Sequence, residues 1–263
     1  MSRGETAWDI KPPKLILCQD GNSQPSLTVF CDLDGPIVDV SDRYYTTYKL
    51  ALEETREYYE TKGVFLPIAP LSKAEFWTMK QNRVPDSEIA QRSGLDEGHL
   101  EHFRSRVVAI VNQPELLHLD RIQSGVHWAL ALLHSRGVRL ILVTLRPQME
   151  AVQLLQNYGL ARLFTCICGT QITDAAYYNY TALKTALLRE IVQELGPELQ
   201  EAWMIGDTEA DVLAGHAVGI PTIGVTCGIR SHQKLEELQP TRIHSDLVSS
   251  SHYLLSTALR IGA

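Results

Sequence analysis

The chain has 263 residues, of which 44% are hydrophobic and 21% charged, and its formal net charge is -7. That balance excludes wholesale disorder and allows one large core or two modest ones. An acidic surface does not draw nucleic acid or anionic membranes by bulk electrostatics, so neither is expected as a partner, and a small anionic ligand would need a locally positive pocket.

Residues 1–25 contain Lys11-Pro12-Pro13 and Gly21-Asn22-Ser23-Gln24-Pro25, which read as a loose N-terminal tail. No secretory signal is legible there, and no apolar run approaches the roughly 20 residues of a membrane span. The five cysteines, Cys18, Cys31, Cys166, Cys168 and Cys227, are odd in number and irregularly spaced. This argues against a disulfide framework and for a reducing, cytoplasmic setting. Cys166 and Cys168 flank Ile167 in an apolar run and are expected as buried strand residues.

The first clear strand is LTVFC, ending at Cys31 and followed at once by Asp32-Leu33-Asp34-Gly35. Residues 42–62 place Tyr44, Tyr48, Leu52 and Thr55 at helical spacing. The segment LSKAEFWTMKQNR opens with Ser72 and Glu75 in capping-box spacing. Further short helices are expected in SEIAQRSGL and HLEHFRSRVVAIVNQ. From about residue 124 the pattern changes: helices alternate with the short apolar strands RLILVT, LFTCICG, AWMIG and PTIGVT. Such alternation predicts parallel βαβ units. The expected fold is therefore α/β, a Rossmann-like doubly wound parallel sheet with an inserted helical cap. The core would take residues 26–42 and 119–263, and the cap 43–118.

Four groups of residues stand where strands end or helices begin, which is where open α/β sheets bind ligands. Asp32 and Asp34 share a face in extended backbone, so one could attack an electrophile while the other handles protons. A plain Asp-Gly hairpin turn fits poorly, because a long helix follows instead of a partner strand. Asp39 is read as a helix-capping or solvated carboxylate outside the site. Thr144 ends RLILVT and could donate to a phosphate oxygen. Lys184, alone, reads as a solvated helix lysine; within reach of the carboxylates it would hold them ionised. Asp207 and Asp211, in GDTEAD, could cap a helix or offer oxygen ligands to magnesium.

Taken together, DLDGPIVD, LVT, Lys184 and GDTEADVLAGHAVGIPTIGVTCGIR resemble, in order and spacing, the four motifs of the haloacid dehalogenase superfamily. The helical insertion is similar to the cap of its phosphoglycolate phosphatase and β-phosphoglucomutase branch. The resemblance implies a magnesium-dependent phosphatase acting on a small phosphorylated metabolite. Asp32 would attack phosphorus, and Asp34 would protonate the leaving oxygen and then activate water. The metal would be held by the Asp32 carboxylate, the Asp34 backbone carbonyl, Asp207 and Asp211, and the phosphoryl group by Thr144 and Lys184. Pro36 stands where the family usually has Thr or Val, which puts the loop geometry in question. Arg146 follows motif two and reads as a surface arginine, with added charge near the phosphate as the alternative. A phosphomutase shares every motif, and a non-catalytic binding module would share the fold. A cysteine phosphatase is excluded, since no cysteine is followed by arginine six positions on. In the cap, Lys80 and Arg83 beside Phe76 and Trp77 are candidate substrate contacts, against the plainer reading of cap core and solvated charges.

Overall fold

The computed structural model describes residues 27–171 and 180–261. The tail expected at 1–25, and Cys18 with it, lie outside the described residues.

Strand β1 (Leu27–Cys31) forms because five successive β-prone residues are bounded by Asp32-Leu33-Asp34-Gly35, and all five are buried. Its two faces go to different cores. Leu27, Val29 and Cys31 join a cluster with α6 (Val126–Ser135), α7 (Gln148–Asn157) and α11 (Leu247–Ile261). Phe30 joins a cluster with α8 (Tyr180–Leu195) and α9 (Glu209–Val218) on the other face. A strand buried on both sides has to be apolar at every position but one or two, which is how LTVFC reads.

The sheet has six strands in the order β5-β4-β1-β6-β7-β8, paired in parallel throughout. The flanking strands are β4 (Arg139–Pro147) and β5 (Cys166–Thr170) on one side. On the other lie β6 (Glu201–Gly206), β7 (Thr222–Val225) and β8 (Arg242–His244). The α/β expectation holds. Cys166 and Cys168 are buried in β5, as their alternation with Ile167 predicts. The edge strand β8 is missing from the reading above, because three residues, RIH, carry no legible period. The chain runs from β1 outward through β4 and β5, then crosses to β6 and outward through β7 and β8. The β1–β6 neighbourhood is thus the reversal point where such sheets bind ligands.

Between β1 and β4 lie α1 (Ser41–Glu60), α2 (Lys73–Gln81), α3 (Asp86–Arg92), α4 (Leu100–Ile110) and α5 (Pro114–Leu117). These helices pack on a hydrophobic cluster of their own, including Tyr48, Leu52, Phe76, Ile89 and Phe103. The capping box is present: Ser72 Oγ accepts from Glu75 N, and the Glu75 carboxylate accepts from Ser72 N. A small two-stranded element, unanticipated in sequence, sits where the chain leaves and re-enters the core. There β2 (Val38–Asp39) pairs antiparallel with β3 (Arg121–Ile122).

Pro36 is accommodated. The turn after Asp34 closes through Gly35 N to Val38 O (2.8 Å), and Ile37 N and Val38 N to Leu33 O (3.1 and 2.9 Å), with donors on both sides of the proline. Gly35 has φ +103°, which a side chain would strain. Asp39 Oδ1 accepts from Ser41 N at the start of α1 (2.8 Å), matching its capping reading.

Candidate active site

Asp32 leaves the C-terminal end of β1 with its amide bonded to Ile205 O on β6 (2.9 Å), so sheet pairing itself fixes the first carboxylate beside β6. Its Oδ1 accepts from Leu33 N at 2.7 Å and lies 2.7 Å from Lys184 Nζ. Lys184 rises from α8, is 1% exposed, and reaches Asp211 Oδ1 at 2.9 Å as well. The solvated-lysine reading is therefore corrected: the ammonium is buried between two carboxylates. Asp207 follows β6, and Asp211 sits in the first turn of α9, where it closes a capping box with Thr208.

Asp32, Asp207 and Asp211 each offer a carboxylate oxygen within 4.8 Å of the others. Burial pushes the Asp32 carboxyl up to about 7 against the opposing pull of Lys184. Burial, then Asp211 and Asp32, push Asp207 well above the usual carboxylate range. For Lys184, burial alone would lower the value, but Asp211 and Asp32 overcome it and hold the ammonium charged.

Asp207 Oδ2 accepts from Ile229 N at 2.6 Å, while its Oδ1 is buried with no hydrogen-bond partner. Glycines let backbone close around these groups. An added Cβ would lie 2.2 Å from Asp207 Cγ at Gly35, 2.0 Å from Asp207 Oδ2 at Gly228 and 2.1 Å from Asp211 Cβ at Gly206. Three converging carboxylates against one ammonium leave net negative charge in a buried place. An orphaned oxygen among them fits a hard divalent cation that takes oxygen ligands.

Asp34 points elsewhere. Its Oδ1 is 2.6 Å from Arg146 Nη2 and its Oδ2 is 3.3 Å from Arg43 Nη2. Both guanidinium groups also meet Asp120, Arg43 through Nε at 2.8 Å and Arg146 through Nη2 at 2.6 Å. The result is a closed ring of alternating charges, Asp34, Arg43, Asp120 and Arg146. The surface reading of Arg146 is corrected, since it is 6% exposed. Sequence reasoning missed Arg43 and Asp120 altogether. They lie 77 positions apart, and nothing local marks them. Arg43 also donates to Val111 O (3.0 Å) and Asn112 Oδ1 (3.1 Å), tying α1 to the end of α4. Thr144, at the end of the β4 apolar run, is buried and accepts from Arg146 N (3.1 Å), which leaves its own hydroxyl proton free to donate.

Asp32, Asp34, Arg43, Thr144, Arg146, Lys184 and Asp207 floor a cavity of about 380 Å³ whose walls continue into the helical layer. The two helical-layer candidates part ways here. Lys80 lines the cavity but is ion-paired to Asp86 at 2.7 Å. Arg83, at φ 59°, does not line it; Arg83 meets Glu209 Oε1 at 3.0 Å and the Tyr180 hydroxyl at 3.2 Å. Glu209 is 3% exposed and takes both Nε and Nη2 of Arg230 (2.7 and 2.9 Å) and the Tyr180 hydroxyl. Burial alone would raise the Glu209 carboxyl, but Arg230 overcomes it and holds it down at about 2. With Ser231 N to Gln81 O (2.9 Å) and Arg230 Nη1 to Lys80 O (3.3 Å), these contacts fasten the C-terminal end of α2 to the loop after β7.

A doubly wound parallel sheet with an acidic, lysine-bearing site at its strand ends defines an α/β enzyme of the phosphate-handling kind. Residues 27–219 match the haloacid dehalogenase-like hydrolases, and the chain belongs to that family. Among its relatives is a phosphoglycolate phosphatase of Agrobacterium fabrum, 26% identical over 247 residues, covering 90% of this chain and 95% of the relative. Another is a 5'-nucleotidase of Pseudomonas aeruginosa, 27% identical over 170 residues, covering 63% and 72%. The fold is shared with the crystal structure of a subfamily IA hydrolase of Geobacter sulfurreducens (TM-score 0.58, 18% identity), covering 89% of this chain and 100% of that one. Among the described residues no helix is long and apolar enough to cross a membrane.

Proposed function

We propose that this hydrolase is a phosphatase that cleaves a small phosphomonoester through a phosphorylated Asp32. The observation that supports it most is the Asp32 carboxylate at the cavity floor, held 2.7 Å from a buried ammonium and beside two further buried carboxylates. Asp32 attacks phosphorus and the P–O bond to the alcohol breaks, giving an aspartyl-phosphate. The departing oxygen takes a proton from Asp34. Water then attacks the same phosphorus, gives a proton back to Asp34, and frees Asp32 and inorganic phosphate.

Both Asp34 oxygens accept from arginine in the structure described, and each keeps a lone pair open to a proton. Thr144 and Lys184 bind the transferring oxygens, and Lys184 offsets their charge. Magnesium fits the Asp32, Asp207 and Asp211 carboxylates with the Asp34 carbonyl; when bound it neutralises charge on the phosphoryl oxygens. The helices at 43–118 act as the cap over residues 26–42 and 119–263. The thiols of Cys31, Cys168 and Cys227 suit a reducing, cytoplasmic setting.

The test is phosphate release from a panel of phosphomonoesters with magnesium, by wild type and Asp32→Asn. Asparagine keeps the shape and removes the nucleophile, so turnover should fall by several orders of magnitude while the unfolding midpoint stays near that of wild type. Phosphate release by folded Asp32→Asn near the wild-type rate refutes the mechanism. Turnover that requires a sugar bisphosphate activator would assign a phosphomutase instead.

A further inference from the structure

The cavity changes character between floor and roof. Its floor is ionic. Its roof, from the helical layer, includes Tyr48, Phe76, Ile89, Phe103, Val107 and Val111, with the Lys80–Asp86 ion pair, Thr47 and Asn112 beside them. The polar groups among them are already committed. The Tyr48 hydroxyl pairs with Ser93 Oγ (2.6 Å) and accepts from Leu71 N (2.8 Å), and its ring stacks on Phe76 with centroids 4.7 Å apart.

The cations are committed too. Lys184 serves Asp32 and Asp211, Arg43 and Arg146 serve Asp34 and Asp120, Lys80 serves Asp86, and Arg230 serves Glu209. Among the described lining residues Arg104 is the cation without such a partner, and it is exposed, where water solvates it. A second anionic group on the substrate would therefore meet aromatic and aliphatic walls with no unengaged buried cation, an unfavourable desolvation. The volume, about 380 Å³, holds on the order of a dozen waters at about 30 Å³ each. A two-carbon acid beyond the phosphoryl group would leave much of the space beneath that roof wet.

We infer that the leaving group is an uncharged, extended apolar or aromatic alcohol, bound by the Tyr48–Phe76–Phe103 wall while its phosphoryl group sits at Asp32. This rests on the phosphatase reading and names its substrate class. Non-polar walls recognise such a body by removing its surface from water, and selection comes from fit and not from ion pairing.

The experiment compares 2-phenylethyl phosphate, ethyl phosphate and phosphoglycolate at saturating magnesium. The first two release primary alcohols of similar basicity, so their difference reports the roof and not the chemistry of bond cleavage. 2-Phenylethyl phosphate should have a kcat/KM on the order of 10- to 100-fold above ethyl phosphate and above phosphoglycolate. Val107→Asn, checked for wild-type-like cooperative unfolding, should shrink that ratio at least several-fold. Titration calorimetry on Asp32→Asn should show the same order of affinities without turnover. If phosphoglycolate or ethyl phosphate is turned over as well as or better than 2-phenylethyl phosphate, the apolar-substrate inference falls and the phosphatase reading stands. If none of the three is hydrolysed, binding to Asp32→Asn decides: preferential capture of 2-phenylethyl phosphate supports the apolar chamber while the phosphatase reading falls, and equal or absent binding overturns the inference.

Discussion

Asp120→Asn perturbs the charge ring while leaving its shape. Asp120 is 2% exposed and accepts from both Arg43 (2.8 Å) and Arg146 (2.6 Å). In wild type two guanidinium groups face two carboxylates. The substitution leaves both cations facing Asp34 alone, with both guanidinium side chains nearly buried and little water to screen the excess. Removing one partner of a buried ion pair costs about 3–5 kcal/mol. Asp34 still serves both arginines, so the lower end, about 3 kcal/mol, is the expected loss. For a chain of this size that corresponds to a fall in Tm of roughly 6–12 °C. Urea unfolding followed by tryptophan fluorescence should show a lower midpoint at unchanged m. Adding Arg43→Met removes the surplus charge, so the double variant should be more stable than the sum of the singles by about 1–3 kcal/mol. A loss below about 1 kcal/mol for Asp120→Asn, or strict additivity in the double variant, would refute the ring as a coupled unit.

Chelation should abolish phosphate release and added magnesium should restore it, with calcium a poor substitute because its looser coordination misplaces the phosphoryl group. Independently of turnover, magnesium should raise the unfolding midpoint of wild type and not of Asp207→Asn, which a thermal shift series checks. In the folded state Arg230 holds the Glu209 carboxyl down at about 2, below its ordinary 4.5. The stability it contributes is therefore present above about pH 4.5 and is lost as pH falls toward 2. The stability difference between wild type and Glu209→Gln should shrink by about 2 kcal/mol between pH 7 and pH 3. A pH-independent difference would mean that the Arg230 and Arg83 contacts do not depend on the Glu209 charge.

What the sequence by itself determined is whatever repeats locally or depends on a single chain segment. Buried parallel strands must be apolar throughout, so LTVFC, RLILVT and AWMIG declare themselves. Helices with one face against a core show their period, and Ser72 with Glu75 marks a helix start. Motifs at or close to the C-terminal ends of strands put Asp32, Thr144 and Asp207 at the same end of the sheet, because parallel strands all end there. Lys184 became a site candidate through its spacing in a familiar set, since on its own helix it is one charge among several.

Tertiary structure decided everything that joins distant segments. Whether Lys184 is solvated or buried depends on how α8 crosses the sheet, and packing against α9 drives it onto Asp32 and Asp211. Arg146 looked like a surface residue because its neighbours in sequence do not cover it. Asp34, after β1, and Asp120, just before β3, are brought against it by folding, and their carboxylates stabilise its charge. Its place beside Lys80, Phe76 and Trp77 makes Arg83 a candidate substrate contact in sequence, yet the loop after β7 brings Arg230 and the start of α9 brings Glu209 to that corner. Charge is the least local property of a sequence: whether an ionised side chain is solvated, catalytic or structural depends on the partners that folding brings within a few ångströms. In this chain the partners of Lys184, Arg146 and Arg230 lie more than twenty residues away.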